Sequence, residues 1–309
     1  MEKWTAADIP SQAGRLAVVT GTGGLGLEDA VALARAGGEV IVAGRSRQKG
    51  EEALARVRAE VPGAKVSFEQ LDLASLTSVA KFGERLRAQR DRLDLLINNA
   101  GVMVPPTRKE TEDGFELQFA TNYLGHFALT AHLMPLLRKG RSARVISLSS
   151  VAARDGKINL ADLQSTSYVP MQAYGQSKLA CLMFALELQR RSEAGKWGVT
   201  SIAAHPGISR TDLLHNAPGR LSASALARSL LWFLFQPAAQ GALPTLYAGT
   251  SPKAQGGGYY GPANLREMRG PPAVAKFPPQ ALDKATAERL WVASEQLAGV
   301  SFDAAATAA

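Results

Sequence analysis

Up to about residue 204, short apolar runs alternate with stretches long enough for helices, and this alternation restricts the fold more than any other feature. Arg15–Thr20 (RLAVVT), Glu39–Ala43 (EVIVA), Lys65–Leu71, Leu93–Ile97 (LDLLI), Arg144–Leu148 (RVISL) and Val199–Ala204 (VTSIAA) read as strands. Between them, Leu27–Ala36, Gln48–Glu60, a segment capped by Ser75 that runs to about Gln89, Glu116–Arg138 and Gln172–Glu193 read as helices. Gly37-Gly38 and Pro62-Gly63 stop the first two. Strands that alternate with helices form βαβ units, and right-handed crossovers wind these into a parallel sheet covered on both faces. The expected class is therefore α/β, doubly wound, with ligands at the carboxyl ends of the strands.

No repeat or linker interrupts this pattern. It predicts one domain over residues 1–309, with a core of about 14–213 and a substrate-side carboxyl-terminal extension of about 214–303. In the extension Pro and Gly become frequent (Gly256-Gly257-Gly258, Pro271-Pro272), and Leu221–Phe235, Pro237–Tyr247 and Pro279–Leu297 keep helical patterns. A chain of this length buries about three quarters of its unfolded surface, so it needs no staple. Its one cysteine, Cys181, forms no intrachain disulfide, and its four histidines show no metal-site spacing. The net charge of +8 is spread over short basic clusters without interleaved aromatics, which argues against a nucleic-acid partner. The polar amino terminus and the shortness of the Leu230–Phe235 run, against the ~20 residues of a membrane span, lead to the expectation of a soluble cytoplasmic protein with no transmembrane segment.

The loop after the first strand reads Thr20-Gly21-Thr22-Gly23-Gly24-Leu25-Gly26. Glycines permit a tight turn and close approach to a pyrophosphate, and the following helix supplies N–H donors and the positive end of its dipole. The second strand ends in Ala43-Gly44-Arg45-Ser46, without the acid that binds a ribose 2′-hydroxyl. Arg45 suits a 2′-phosphate instead, so the expected cofactor is NADP(H) in preference to NAD(H).

Tyr174 and Lys178 stand at i and i+4 on one helix face. An ammonium beside a phenol favours the phenolate, which equips such a phenol for proton exchange with an alcohol or carbonyl oxygen. The fifth strand ends in Ser147-Leu148-Ser149-Ser150, which places Ser150 at the ligand crevice to hold a substrate oxygen, with Ser149 as a second candidate and Ser147 as core.

With these residues the chain resembles the short-chain dehydrogenase/reductase family, most closely its retinol-dehydrogenase-like branch. The resemblance covers about residues 14–213 and implies a Rossmann-type fold. It implies that Asp72-Leu73 contacts the adenine, that Asn99, Ala100 and Gly101 of Asn98-Asn99-Ala100-Gly101 line the cofactor, and that Asn122 completes a tetrad with Ser150, Tyr174 and Lys178. It further implies that Lys178 holds the nicotinamide ribose, that Asn122 supports a water-mediated proton path, and that Pro206, Gly207, Ile208 and Thr211 hold the carboxamide. The implied activity is hydride transfer between the cofactor and a carbonyl or alcohol group. The apolar content of residues 155–171 and 212–236 points to a hydrophobic small-molecule substrate, with a lid around Leu230–Phe235 that includes Trp232. A homodimer is compatible with this reading.

Two departures from the family pattern stand out. The glycine loop is one residue short, and Ser150 lies 24 positions before Tyr174, a longer separation found in this branch. The added segment, Asp155 to Met171, is expected beside the substrate. His126 reads as a packed helix residue, His205 as positional and Cys181 as a core thiol. Two other readings share the same features: a dinucleotide-binding regulator that has lost turnover, and a protein held at a membrane surface by the Leu230–Phe235 run.

Overall fold

The computed structural model describes residues 3–209 and 236–302. The expected lid and Thr211 lie outside the described residues.

Strands β1 (Leu16–Thr20), β2 (Glu39–Gly44), β3 (Val66–Gln70), β4 (Leu95–Asn98), β5 (Arg144–Leu148), β6 (Thr200–Ala204), β7 (Tyr259–Asn264) and β8 (Arg269–Val274) form one sheet in the order 3-2-1-4-5-6-7-8. Every pairing is parallel except β7 with β8, which is antiparallel. Order reverses around β1, and the resulting crevice at the carboxyl ends of β1 and β4 is where such sheets bind ligands.

The period of two along β1 assigns its side chains to opposite layers. Val18 enters one apolar cluster and Val19 the other, and both are fully buried. On one face, α1 (Gly24–Arg35) and α2 (Arg47–Glu60) cover β1 and β2, and the helices Ala238–Gly241 and Leu243–Thr250 complete the layer. On the other lie α3 (Leu76–Gln89), α4 (Gly125–Leu137) and α5 (Pro170–Ala194). Helix Lys284–Ala298, capped by Asp283 and ended by left-handed Gly299, lays Trp291 against Phe127 and Phe184 of α4 and α5.

Two elements differ from the sequence expectation. β7 and β8 have no counterpart in the sequence reading, which takes the Pro- and Gly-rich extension as helices and decoration; Pro262, Pro271 and Pro272 lie in these strands. Proline is tolerated here because the hairpin closes one edge of the sheet, where an N–H can be missing. The helix expected over Glu116–Arg138 contains near its start a π turn, Phe119–Leu124, with the Gly125 N–H donating to the Ala120 carbonyl. The fully buried Glu116 carboxylate accepts from the Gln118 and Phe119 N–H groups and fixes its start.

Candidate active site

A cavity of about 540 Å³ opens at the carboxyl ends of β1, β4, β5 and β6. Of the residues expected at the site, Gly21, Gly23, Gly24, Leu25, Asn99, Ala100, Gly101, Ser150, Tyr174, Lys178, Pro206, Gly207 and Ile208 line it together. Asp155 and Met171, the two ends of the added segment, also line it.

The shortened glycine loop still makes the turn. Gly21 and Gly24 take φ of 103° and 53°, a region that side chains disfavour. A Cβ on Gly26 would lie 2.5 Å from Asn99 Nδ2 and 2.9 Å from the Gly21 carbonyl. Gly26 is therefore a packing glycine, which lets α1 close on the loop. Ser46 and Ser75 cap α2 and α3 through the N–H groups of Lys49 and Ser78, whereas no side chain caps α1. The start of α1, Gly24 and Leu25, lines the cavity with no side-chain cap among the described residues, as an anionic ligand requires, and the loop fits a pyrophosphate.

Thr20, which the sequence did not single out, organises the next wall. Its hydroxyl accepts from the Asn99 and Ala100 N–H groups at 2.9 and 3.0 Å, and its carbonyl accepts from Asn99 Nδ2 at 2.7 Å. Gly101 follows. A Cβ there would lie 2.9 Å from Asn122 Oδ1, so glycine leaves the Asn122 side chain in place, and 3.5 Å from Lys178 Nζ, an ordinary contact.

Asn122 lies beneath the cavity, buried in the π turn. Its Oδ1 accepts from the Val102 N–H at 2.7 Å, and its Nδ2 donates to the Val102 carbonyl and to Ser177 Oγ. Its carbonyl accepts from His126 Nδ1 at 2.9 Å and Cys181 Sγ at 3.1 Å. These side-chain donors stand where the helical ladder widens, a recognised cause of such distortion. Burial pushes the Cys181 thiol up and keeps it a neutral donor.

Tyr174 and Lys178 occupy neighbouring turns of α5, both 6% exposed. Lys178 Nζ sits 6.0 Å from the tyrosine ring centre and donates to the Leu148 carbonyl at 3.1 Å. Ser149 is committed to the frame: its hydroxyl donates to the Lys178 carbonyl at 2.8 Å. Ser150 accepts from the Ala152 N–H at 3.2 Å, which leaves its own proton free for a ligand oxygen. Opposite stands Gly207, with φ of 63°, where a Cβ would clash with the Met268 carbonyl, to which Ile208 N–H donates at 2.9 Å.

Thr22, Arg45, Asp72 and Leu73 do not line this cavity. Thr22 lays its methyl against Gly44 at the end of β2, and the exposed Arg45 follows with no side-chain partner among the described residues. Asp72 accepts from the Ala74 N–H at 3.0 Å past the end of β3, and Leu73 is buried with its carbonyl against Gly125. Among the described residues no group of His, Cys, Asp and Glu could hold a metal ion, and no helix is long and apolar enough to cross a membrane.

A family model described as short chain dehydrogenase matches residues 15–220. Polyprenol dehydrogenase of Mus musculus is 42% identical over 298 residues, which covers 94% of this chain and 86% of that protein. Retinol dehydrogenase 12 of Mus musculus is 38% identical and covers 97% of this chain and 90% of its own length. A crystal structure of a putative uncharacterized protein from Mycobacterium Paratuberculosis superposes with a TM-score of 0.80 at 39% identity, covering 97% of this chain and 99% of the other. The chain belongs to the short-chain dehydrogenase/reductase family, in its retinol-dehydrogenase-like branch, and is an oxidoreductase of CH–OH and C=O groups that uses a nicotinamide cofactor.

Proposed function

We propose that the chain is an NADP(H)-dependent oxidoreductase that interconverts a hydrophobic alcohol with its aldehyde or ketone, with Ser150, Tyr174, Lys178 and Asn122 as its working residues. The observation that carries this reading is the convergence of the Ser150 hydroxyl, the Tyr174 phenol and the Lys178 ammonium on the one cavity that also exposes the uncapped start of α1. Gly21, Gly23, Gly24 and Leu25 hold the pyrophosphate, Asn99, Ala100 and Gly101 the middle of the cofactor, and Pro206, Gly207, Ile208 and Thr211 the nicotinamide end. Asp72 and Leu73 flank the adenine, and Thr22 and Gly26 shape the loop. The bound cofactor supplies or takes the hydride.

Tyr174 gives its phenolic proton to the carbonyl oxygen during reduction and takes the alcohol proton during oxidation. Lys178 attracts the oxyanion that proton loss leaves on the phenol. Ser150 donates to the substrate oxygen while negative charge gathers there. Asn122 stays buried, ties Val102 to Ser177, and supports the water-mediated path by which the proton is replaced. Positioned proton transfer of this kind contributes about 10²–10⁴-fold in rate. Met103, Val151 and Met171 give the substrate side an apolar lining, and the names polyprenol and retinol dehydrogenase describe relatives that act on apolar alcohols. The reading includes one domain over the whole chain, a homodimer and a cytoplasmic location, which sedimentation and cell fractionation test. The deciding experiment is a panel of aliphatic, isoprenoid and aromatic aldehydes and alcohols followed by NADPH absorbance. Turnover of none of them would overturn the reading.

A further inference from the structure

The hairpin between β7 and β8 reaches back into the site. Its tip, Leu265–Glu267, holds consecutive φ values of 50°, 54° and 65°, a left-handed run that L-residues avoid. The run aims the Glu267 carboxylate inward, where its side chain is 19% exposed. Glu267 Oε2 accepts from Arg154 Nη2 at 2.7 Å and from His205 Nε2 at 3.0 Å, and Oε1 accepts from the Lys276 N–H at 2.9 Å.

Each side-chain donor belongs to a different wall of the cavity. Arg154 ends the single turn Val151–Arg154 that Ser150 caps. Its Nη1 also donates to the Arg266 carbonyl at 3.1 Å. His205 joins β6 to Pro206-Gly207. Its Nδ1 accepts from the Gly207 N–H at 3.2 Å, so the ring proton sits on Nε2 and points at Glu267. Burial holds this ring neutral, while partial burial of Glu267 is outweighed by its hydrogen bonds from His205, Lys276 and Arg154, which hold its carboxyl down to about 2.

We propose that Glu267 is a positioning residue that clamps the two walls of the site, fixing the Ser150 turn through Arg154 and the Gly207–Ile208 segment through His205. The carboxylate touches neither cavity wall's ligand-facing atoms; it sets the distance between the hydroxyl that receives the substrate oxygen and the backbone that receives the cofactor. Two fully donated hydrogen bonds to a charge are stiff links, and the Met268 carbonyl, one residue on, adds a third through Ile208 N–H. The functional half of this inference rests on the oxidoreductase reading above; the mechanical half does not.

Hydrogen–deuterium exchange on the free protein tests the mechanical half, with Glu267→Gln, Arg154→Gln and His205→Asn. Loss of a hydrogen bond to a charged group corresponds to about tenfold. Glu267→Gln should speed exchange about tenfold in both segments 150–156 and 205–209 and leave β1 and β4 unchanged. Arg154→Gln should speed only the first segment and His205→Asn only the second, so the arms remain readable even if one variant folds poorly. Unchanged exchange in either segment of Glu267→Gln, or a uniform rise across the sheet, would overturn the clamp. Titration with NADPH tests the functional half: the dissociation constant should rise about tenfold in Glu267→Gln and His205→Asn and stay within about twofold in Arg154→Gln. Equal constants in all four proteins would overturn that half. A wild type that binds no NADPH would count against the oxidoreductase reading and leave the exchange result standing.

Discussion

The hydroxyl of Thr20, the last residue of β1, lies 2.9 Å from Nε2 of His126, the second residue of α4. Because the Asn122 carbonyl can only accept, the His126 proton sits on Nδ1, and Nε2 accepts from Thr20. Thr20 itself accepts from Asn99 and Ala100. A continuous chain of hydrogen bonds thus joins the cofactor wall at the end of β4 to the carbonyl of Asn122. His126 is a structural link with both ring nitrogens used, rather than a packed ring alone.

This link makes stability depend on pH. Burial pushes the His126 pKa down to about 4, with the Lys178 charge adding, against the raising effect of its bond to Asn122. The unfolded ring titrates near 6.5. Between these values the unfolded chain binds a proton that the folded one refuses, so stability is complete above about pH 6.5 and falls toward pH 4. The loss from this residue is about 3 kcal/mol over that window. His126→Gln should lose less stability than wild type between pH 7 and pH 4.5, as read by urea unfolding at each pH. Parallel losses would place the acid sensitivity elsewhere.

Tyr174→Phe keeps a ring on the cavity wall and removes the proton. Turnover should fall by about 10²–10⁴-fold, the size of a general acid–base contribution. NADPH affinity should stay within about twofold, because the ring stays on the cavity wall and among the described residues no hydrogen bond to the phenol holds the fold together. Single-turnover hydride transfer, with cofactor titrated separately, makes the comparison. A variant that turns over within a few-fold of wild type would remove Tyr174 from the mechanism.

β1, β2, β4, β5 and β6 are readable in the sequence because they are largely buried and written as mostly apolar runs, as in the fully buried LAVVT of β1, whereas β3 (VSFEQ) is only partly buried. Ser150, Tyr174 and Lys178 are readable because their chemistry depends on spacing along one helix and on a strand end. The β7–β8 hairpin was hidden because its prolines follow edge-strand rules that need knowledge of which strand is the edge. Glu267 was hidden for a different reason: its partners lie 62 and 113 positions away, and nothing local marks a carboxylate that meets them. Thr20 lay inside a readable motif, yet its role depends on a backbone 79 positions on.

Arg45 follows β2 exposed and with no side-chain partner among the described residues, and no acid stands at the strand end to receive a ribose hydroxyl. A charge-assisted bond to a 2′-phosphate contributes about 1.5–3 kcal/mol, or about tenfold to a hundredfold in affinity. Arg45→Ala should weaken NADPH by that factor and leave NADH within about twofold. Fluorescence titration of both cofactors against both proteins measures the ratio. A wild type that prefers NADH would overturn the assignment.

Asp29 lies in α1, one turn behind the glycine loop, fully buried, and among the described residues neither carboxyl oxygen has a hydrogen-bond partner. Burial raises its pKa well above the ordinary value of 3.8, and the charge of Glu28 adds to the shift. The folded state therefore keeps a proton that the unfolded chain releases. Stability from this residue is complete below about pH 3.8 and declines as pH rises toward the folded value. Asp29→Asn retains the shape and cannot ionise, so it escapes that decline. It should melt at least about 2 °C above wild type at pH 8, roughly the effect of 1 kcal/mol in a large domain. The gap should narrow at pH 5, where the unfolded wild type gains less from ionising. Scanning calorimetry at the two pH values reads both differences. A variant that melts below wild type at pH 8 would mean that the carboxyl finds a partner in the folded state that the amide cannot replace.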